Sequence, residues 1–279
     1  MISIIIATYN AQATLERSFD SLRAQKDADF EVLVADGGST DHTLARLEPY
    51  RDLIAVLEQG PDQGIYDAWN KVIGRARGQW LMFLGADDWL QDPHTLARLA
   101  QHAATIPAEQ RALSYVYGQT EVIEAGRTIE RLGTQPLPDN RLDPDSDIPF
   151  GHTGLLHHRS LFAHFGLFSE VFRSAGDYEF LLRTAPHPQV RFFHVPMTVA
   201  HMASGGTSSG ARSRFRHYRE MLAVRQGLGL ARTPLWLYLA LARSALLRFL
   251  HAFLGAKAAL MAANAYRRLM GKVAREQIA

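Results

Sequence analysis

Three groups of acidic side chains in this 279-residue chain have the types and spacing that chemistry needs. The first is Asp36-Gly37-Gly38-Ser39-Thr40-Asp41: a carboxylate, two glycines free to take positive φ, and hydroxyls suited to cap a helix. Such a loop can lie close against a flat ring or a phosphate, or it can simply join a strand to a helix, with Asp36 accepting backbone N–H groups. The second is Asp87-Asp88, at the exit of the apolar run Trp80-Leu81-Met82-Phe83-Leu84-Gly85-Ala86. Adjacent carboxylates repel until a proton or a cation neutralises them. A hard cation, Mg2+ or Mn2+, shared with phosphate oxygens is the matching partner, and a solvated turn in which Asp88 caps a helix is the alternative. The third is Asp177, which opens a helical pattern in Gly176-Asp177-Tyr178-Glu179-Phe180-Leu181-Leu182. A helix N-terminus favours the anion, the form that accepts a proton, although a plain cap would look the same.

Other chemistries fall away. The chain has no cysteine, which removes a thiol nucleophile, thiolate metal ligands and a disulfide framework together. No G-x-G-x-x-G follows a strand and no G-x-x-x-x-G-K-[ST] occurs, so the dinucleotide and P-loop fingerprints are missing. Two histidines fall in Gly-containing segments: His152 in Phe150-Gly151-His152-Thr153-Gly154, and His201 ahead of Gly205-Gly206-Thr207-Ser208. Neutral imidazole binds Mn2+, so His201 is a candidate ligand beside Asp87 and Asp88, against the commoner packed or surface histidine.

The elements that must position these residues are readable from periodicity. Short β-branched runs at residues 3–7, 31–35, 53–57 and 80–84 alternate with helical patterns at 14–24, 41–47 and 66–75, the signature of a parallel sheet wrapped by helices. Each strand ends in a polar cluster: Thr8-Tyr9-Asn10, Asp36 to Asp41, Gly60-Pro61-Asp62-Gln63-Gly64, and Asp87-Asp88. Ligands of open α/β sheets sit beyond the carboxyl ends of the strands, so the four clusters are expected to converge. Later come strands near residue 115 and over 190–199, a turn at Ala125-Gly126, an irregular loop over 134–149, and helices at 159–165, 177–183, 212–227 and 234–270.

Hydrophobic residues make up 47% of the chain, enough for a buried core, which argues against disorder. The net charge of +2 hides an asymmetry: residues 1–204 carry 17 basic against 26 acidic side chains, residues 205–279 carry 13 against 2. In the tail, Arg243, Lys257, Arg268 and Lys272 fall within about 60° of one another at about 100° per residue. Such a helix has the form of an interfacial membrane anchor; packing on the body or on a second copy of the chain, as a homodimer, is the alternative. No aromatic-interleaved platform accompanies the charge, so nucleic acid is not an expected partner. The N-terminal run lacks a basic leader, and charges interrupt the tail before about 18 uncharged apolar residues accumulate, so neither signal peptide nor spanning helix is expected.

In order along the chain, Ile4-Ile5-Ile6-Ala7-Thr8-Tyr9-Asn10, Val34 to Asp41, Pro61 to Lys71 and Phe83 to Asp88 together resemble family 2 of the glycosyltransferases, nucleotide-sugar enzymes of the GT-A fold. The resemblance is dense to about residue 90 and looser to about 210. It implies an α/β, Rossmann-like, mixed but mostly parallel sheet flanked by helices: a nucleotide half (1–112), an acceptor half (113–210) and a C-terminal helical extension (211–279). It also implies that Thr8, Tyr9, Asn10, Gly38, Asp62 and Gly64 line the nucleotide pocket, with Asp36 accepting from a uracil ring N–H. Asp87 and Asp88 would serve the ribose and a divalent cation, although the family's D-x-D reads Gly85-Ala86-Asp87 here. Asp177 would be the general base of an acceptor-side motif whose usual Glu-Asp pair reads Gly176-Asp177. His152 and Glu179 would flank the acceptor, and Gly205-Gly206 would belong to a loop that folds over the diphosphate. The implied activity is inverting sugar transfer from a UDP-linked donor to a hydroxyl of a glycan or lipid-linked acceptor, in bacterial surface polysaccharide assembly, on the cytoplasmic face of the cell membrane. A sugar-nucleotide pyrophosphorylase and a non-catalytic membrane-surface module are the alternatives.

Overall fold

The computed structural model describes residues 1–204, 211–230, 232–269 and 271. Gly205 and Gly206 therefore lie outside the described residues. The chain begins β1 (Ile2–Thr8), α1 (Leu15–Arg23), β2 (Phe30–Asp36), α2 (Thr43–Leu47), β3 (Ile54–Gln59), α3 (Ile65–Ile73), β4 (Trp80–Gly85) and β5 (Trp89–Leu90). There follow α4 (Thr95–Thr105), α5 (Ala108–Arg111), β6 (Ser114–Glu124), β7 (Arg127–Leu132), β8 (Leu156–His158), α6 (Ser160–Phe165), α7 (Gly176–Thr184) and β9 (Arg191–Ala203). Two helices close it, α8 (Ala211–Gly227) and α9 (Leu235–Leu269).

The β-branched run of β1 suits a strand buried on both faces, and that is its place. Ile2, Ile4 and Ile6 pack with α1, α2 and α4 on one side of the sheet, while Ile5 packs with α3, α6 and α7 on the other. The sheet runs β3-β2-β1-β4-β8-β6-β9-β5, with β7 hairpinned onto β6. The first four strands are parallel; β8 pairs antiparallel with both β4 and β6, and β6 pairs parallel with β9. One mixed nine-stranded sheet thus spans both halves of the sequence. The helix α4 and the two-residue β5, which brings the chain after Asp88 alongside β9, were not legible in the periodicity.

The tail departs from expectation. Gly255, at φ 81° and ψ 171°, breaks α9 into two arms. The Arg243 guanidinium lies 4.7 Å from the Tyr266 ring centroid, whereas about 23 residues of straight helix would separate them by about 34 Å. The helix therefore doubles back. Its length and composition would suit a membrane crossing, contrary to the sequence expectation, but it folds as a hairpin. The reversal also splits the single basic sector expected to hold Arg243 and Lys257. Leu237 and Leu247 pack inward and Arg267 reaches the Ile129 carbonyl, while Leu235, Leu239, Leu246, Phe249 and Phe253 form an exposed apolar stripe.

Candidate active site at the strand ends

At the ends of β1 and β2, Asp36 is buried and surrounded by donors. Its Oδ1 accepts from the Gly38 and Ser39 amides, at 3.1 and 2.8 Å, and its Oδ2 from the Thr8 and Ser39 hydroxyls, at 2.8 and 2.6 Å. Four bonds fill the capacity of a carboxylate. A base N–H that reaches Asp36 must therefore displace one of these hydroxyls. Asn10, at φ 49°, ties the same two loops together, its Oδ1 accepting from the Thr40 amide at 2.9 Å. Tyr9 beside it is 65% exposed, a free aromatic face at the mouth of the loops.

After β3 the chain turns through Gly60 and Gly64, both at positive φ, into α3. Asp62 accepts from the Gly64 amide at 2.9 Å, and its Oδ2 lies under Gly37, where an added Cβ would approach it to 2.2 Å. Glycine at 37 is thus what lets the second and third loops close on each other. Ala35, Asp36, Gln59, Asp62 and Lys71 line a small open crevice there.

After β4 come Asp87 and Asp88. Asp88 is buried; its Oδ2 accepts from the Thr153 hydroxyl at 2.9 Å and its Oδ1 from the Ala203 amide at 3.1 Å. Burial, then the charge of Asp87, pushes its carboxyl up to about 7. Burial raises Asp87 as well, with Arg17 opposing. Arg17 lies over the Trp89 ring at 3.6 Å and donates to the Asp87 carbonyl. A Cβ on Gly85 would lie 2.7 Å from Asp88 Oδ2 and 2.8 Å from Asp87 Oδ1, so the glycine leaves the space into which both carboxylates converge. Two raised carboxyls sharing that space suit a divalent cation that draws its remaining ligands from substrate. A ready-made protein trio is not there: among the described residues no three His, Asp or Glu side chains stand together as a metal group. His201 is instead stacked on Trp89, with its Nδ1 3.7 Å from Glu121, because the pairing of β5 with β9 sets Trp89 opposite it.

Asp177 stands half-buried in the first turn of α7. Its Oδ1 accepts from the Tyr66 hydroxyl at 2.8 Å and from the Tyr178 amide at 2.8 Å. An added Cβ on Gly176 would lie 2.8 Å from Tyr66 Cδ2, so glycine in place of glutamate admits the Tyr66 ring that reaches Asp177. His152 stacks on Trp69 and Phe83, and its Nε2 is sealed from solvent without a hydrogen-bond partner. Burial lowers its pKa, while the nearby charge of Asp177 acts in the other direction. Glu179 does not join this edge. It is buried against Arg183, 2.7 Å away, whose guanidinium also holds the Leu167 carbonyl and so fastens the loop before α7.

Short contacts link these loops into one rim. Thr8 bonds Asp36; Gly37 covers Asp62; Gly64 leads two residues on to Tyr66, which bonds Asp177; His152 feels Asp177 while its neighbour Thr153 bonds Asp88. Tyr66, Thr153 and Arg17 were not singled out as site residues by the sequence, because nothing in their local pattern marks partners 111, 65 and 70 positions away.

Comparison with known proteins identifies the family and the fold. The family model described as Glycosyl transferase family 2 matches residues 3–165. A PGL/p-HBAD biosynthesis glycosyltransferase of Mycobacterium tuberculosis is 34% identical over 214 residues, covering 75% of this chain and 79% of the relative. An uncharacterized glycosyltransferase of Haemophilus influenzae is 25% identical over 194 residues, 67% of this chain and 63% of its own. Among solved structures, S. aureus TarS 1-349 in complex with UDP superposes with a TM-score of 0.61 at 20% identity, covering 90% of this chain and 72% of TarS. The mannosyltransferase PcManGT of Pyrobaculum calidifontis, in complex with GDP-Man and Mn2+, gives 0.59 at 19% identity, covering 96% and 80%. The mixed, mostly parallel sheet flanked by helices is therefore the GT-A arrangement.

Proposed function

The chain belongs to glycosyl transferase family 2, and from that premise we propose that this glycosyltransferase moves a sugar from a UDP-linked donor to a hydroxyl of a glycan or lipid-linked acceptor with inversion. The observation that carries the reading is the single rim joining Asp36, Asp62, Asp87, Asp88 and Asp177. The base of the donor enters the crevice between Asp36 and Asp62, beside the exposed Tyr9, and the UDP bound by TarS supports uridine as that base. The diphosphate lies toward Asp87 and Arg17.

Transfer is a single displacement. Asp177 takes the proton from the acceptor hydroxyl; the acceptor oxygen forms a bond to the anomeric carbon; the bond from that carbon to the phosphate oxygen breaks, and the nucleoside diphosphate leaves with the electron pair. Both hydrogen bonds to Asp177 fall on Oδ1, which leaves Oδ2 to meet the acceptor. A divalent cation held by Asp87 and Asp88 with the donor phosphates would offset the charge of the leaving group. The Mn2+ in PcManGT and the convergence of carboxylates over Gly85 support that assignment.

The basic, apolar tail supports a location at the cytoplasmic face of a membrane, in surface glycan assembly, where the exposed stripe of α9 would touch anionic lipid. Vesicle sedimentation that is unchanged by the pair Phe249→Ser and Phe253→Ser would remove this contact from the reading. The decisive experiment for function measures nucleotide release and sugar transfer over a panel of UDP- and GDP-sugars. Asp177→Asn is expected to slow transfer about a thousandfold while donor binding persists. Wild-type transfer by that variant excludes Asp177 as the base, and transfer from GDP-sugars alone excludes uridine.

A further inference from the structure

The helix that presents Asp177 follows a residue that cannot cap it. Ala175 has no side chain to accept a first-turn amide, Asp177 itself accepts that of Tyr178, and the first residue of α7 is Gly176, the residue type that loses most backbone freedom on ordering. Its restraint comes from α8, outside the sheet. Every hydrogen-bonding group of Ser174 is held by that helix: the Ser174 amide and hydroxyl donate to Glu220 Oε2 at 2.7 and 2.9 Å, and the Ser174 carbonyl pairs with His217 Nδ1 at 2.7 Å. On the other side of Asp177, the fully buried Arg225 donates to the Tyr178 hydroxyl at 3.2 Å and to the Pro144 carbonyl. Met221 and Val224 of α8 pack on Ala175, Tyr178 and Leu182.

We propose that α8 is the positioning element of the transfer site, with Glu220 and His217 fixing Ser174, and Arg225 fixing Tyr178, so that the backbone carrying Asp177 is aimed by the C-terminal extension. The inference rests on the reading of Asp177 as the base. It makes Glu220 a positioning residue that touches neither donor nor acceptor. Its effect belongs to turnover, because a small misplacement of a reacting group costs rate without loosening a ligand bound elsewhere.

The test compares Glu220→Ala, Glu220→Gln and His217→Ala in the full chain, with UDP as the binding probe and transfer to a soluble acceptor as the activity. Glu220→Ala is expected to lower kcat about ten- to a hundredfold with the UDP Kd unchanged and only a modest fall in the thermal midpoint. Glu220→Gln keeps an oxygen for both Ser174 donors and is expected to recover kcat to within about threefold, and His217→Ala to lower it less than Glu220→Ala. Added to Asp177→Asn, Glu220→Ala is expected to cost nothing further, since residues acting as one unit are not additive. Wild-type kcat in Glu220→Ala, failure of the glutamine to recover it, or a fully additive double variant overturns the proposal. Wild-type transfer by Asp177→Asn alone overturns the base assignment and this inference with it.

Discussion

Asp36 ends β2 and Asp88 lies in the turn after β4, the two strands that flank β1; both are almost wholly buried, yet their surroundings treat them differently. Asp36 receives four donors, two amides and two hydroxyls, and acts as the staple of its loop. Asp88 receives the Thr153 hydroxyl and the Ala203 amide at close range, a longer bond from the Gly85 amide at 3.3 Å, and a second carboxylate beside it. A buried carboxylate supplied with donors has its charge met by those donors. One set beside another carboxylate retains a need for positive charge that the donor's cation can meet.

The comparison breaks most easily at Asp87. Asp87→Asn removes one of the two converging charges and is expected to reduce cation-dependent transfer about a hundredfold or more, read as kcat/KM over a Mn2+ titration. An unchanged Mn2+ dependence would mean that the pair holds no cation.

A second effect is in stability. The folded Asp88 carboxyl titrates near 7, whereas an unfolded aspartate titrates near 4. Between those values the native state holds the extra proton, so cation-free stability is expected to decline as pH rises from about 4 toward 7. Mn2+ should therefore raise the thermal midpoint more at pH 8 than at pH 5, and Asp88→Asn should flatten that difference. Equal Mn2+ shifts at both pH values would contradict the reading of Asp88 as short of positive charge.

The smallest effect is expected at the satisfied site. Ser39→Ala removes the 2.6 Å bond to Asp36 and should cost about 1 kcal/mol in chemical denaturation, without altering the Mn2+ dependence. A change in that dependence would show that the two loops are not separate in function.

The two places where the chain departs from its family pattern show how far residues can be read locally. Gly85 and Gly176 read as missing acids. In the fold each is a space: Gly85 admits the carboxylates of Asp87 and Asp88, and Gly176 admits the ring of Tyr66. Glu179 and His201 show the opposite: the sequence suggests each for the site, and in the fold Glu179 pairs with Arg183 while His201 stacks on Trp89 near Glu121. The long apolar tail misled similarly, since one glycine at positive φ turned an expected single amphipathic face into two arms.

By itself the sequence determined the alternation of strands and helices, and with it that the acidic loops share one edge, because periodicity, caps and turns are set within about a dozen residues. Only the tertiary structure decided which of those acids are satisfied, which are left wanting charge, and what aims Asp177. The bonds that settle those questions, Ser174 to Glu220, Thr153 to Asp88, Tyr66 to Asp177 and Ala203 to Asp88, span 46, 65, 111 and 115 residues. No local pattern specifies such partners; they meet because burying both faces of one sheet leaves the chain few other ways to close.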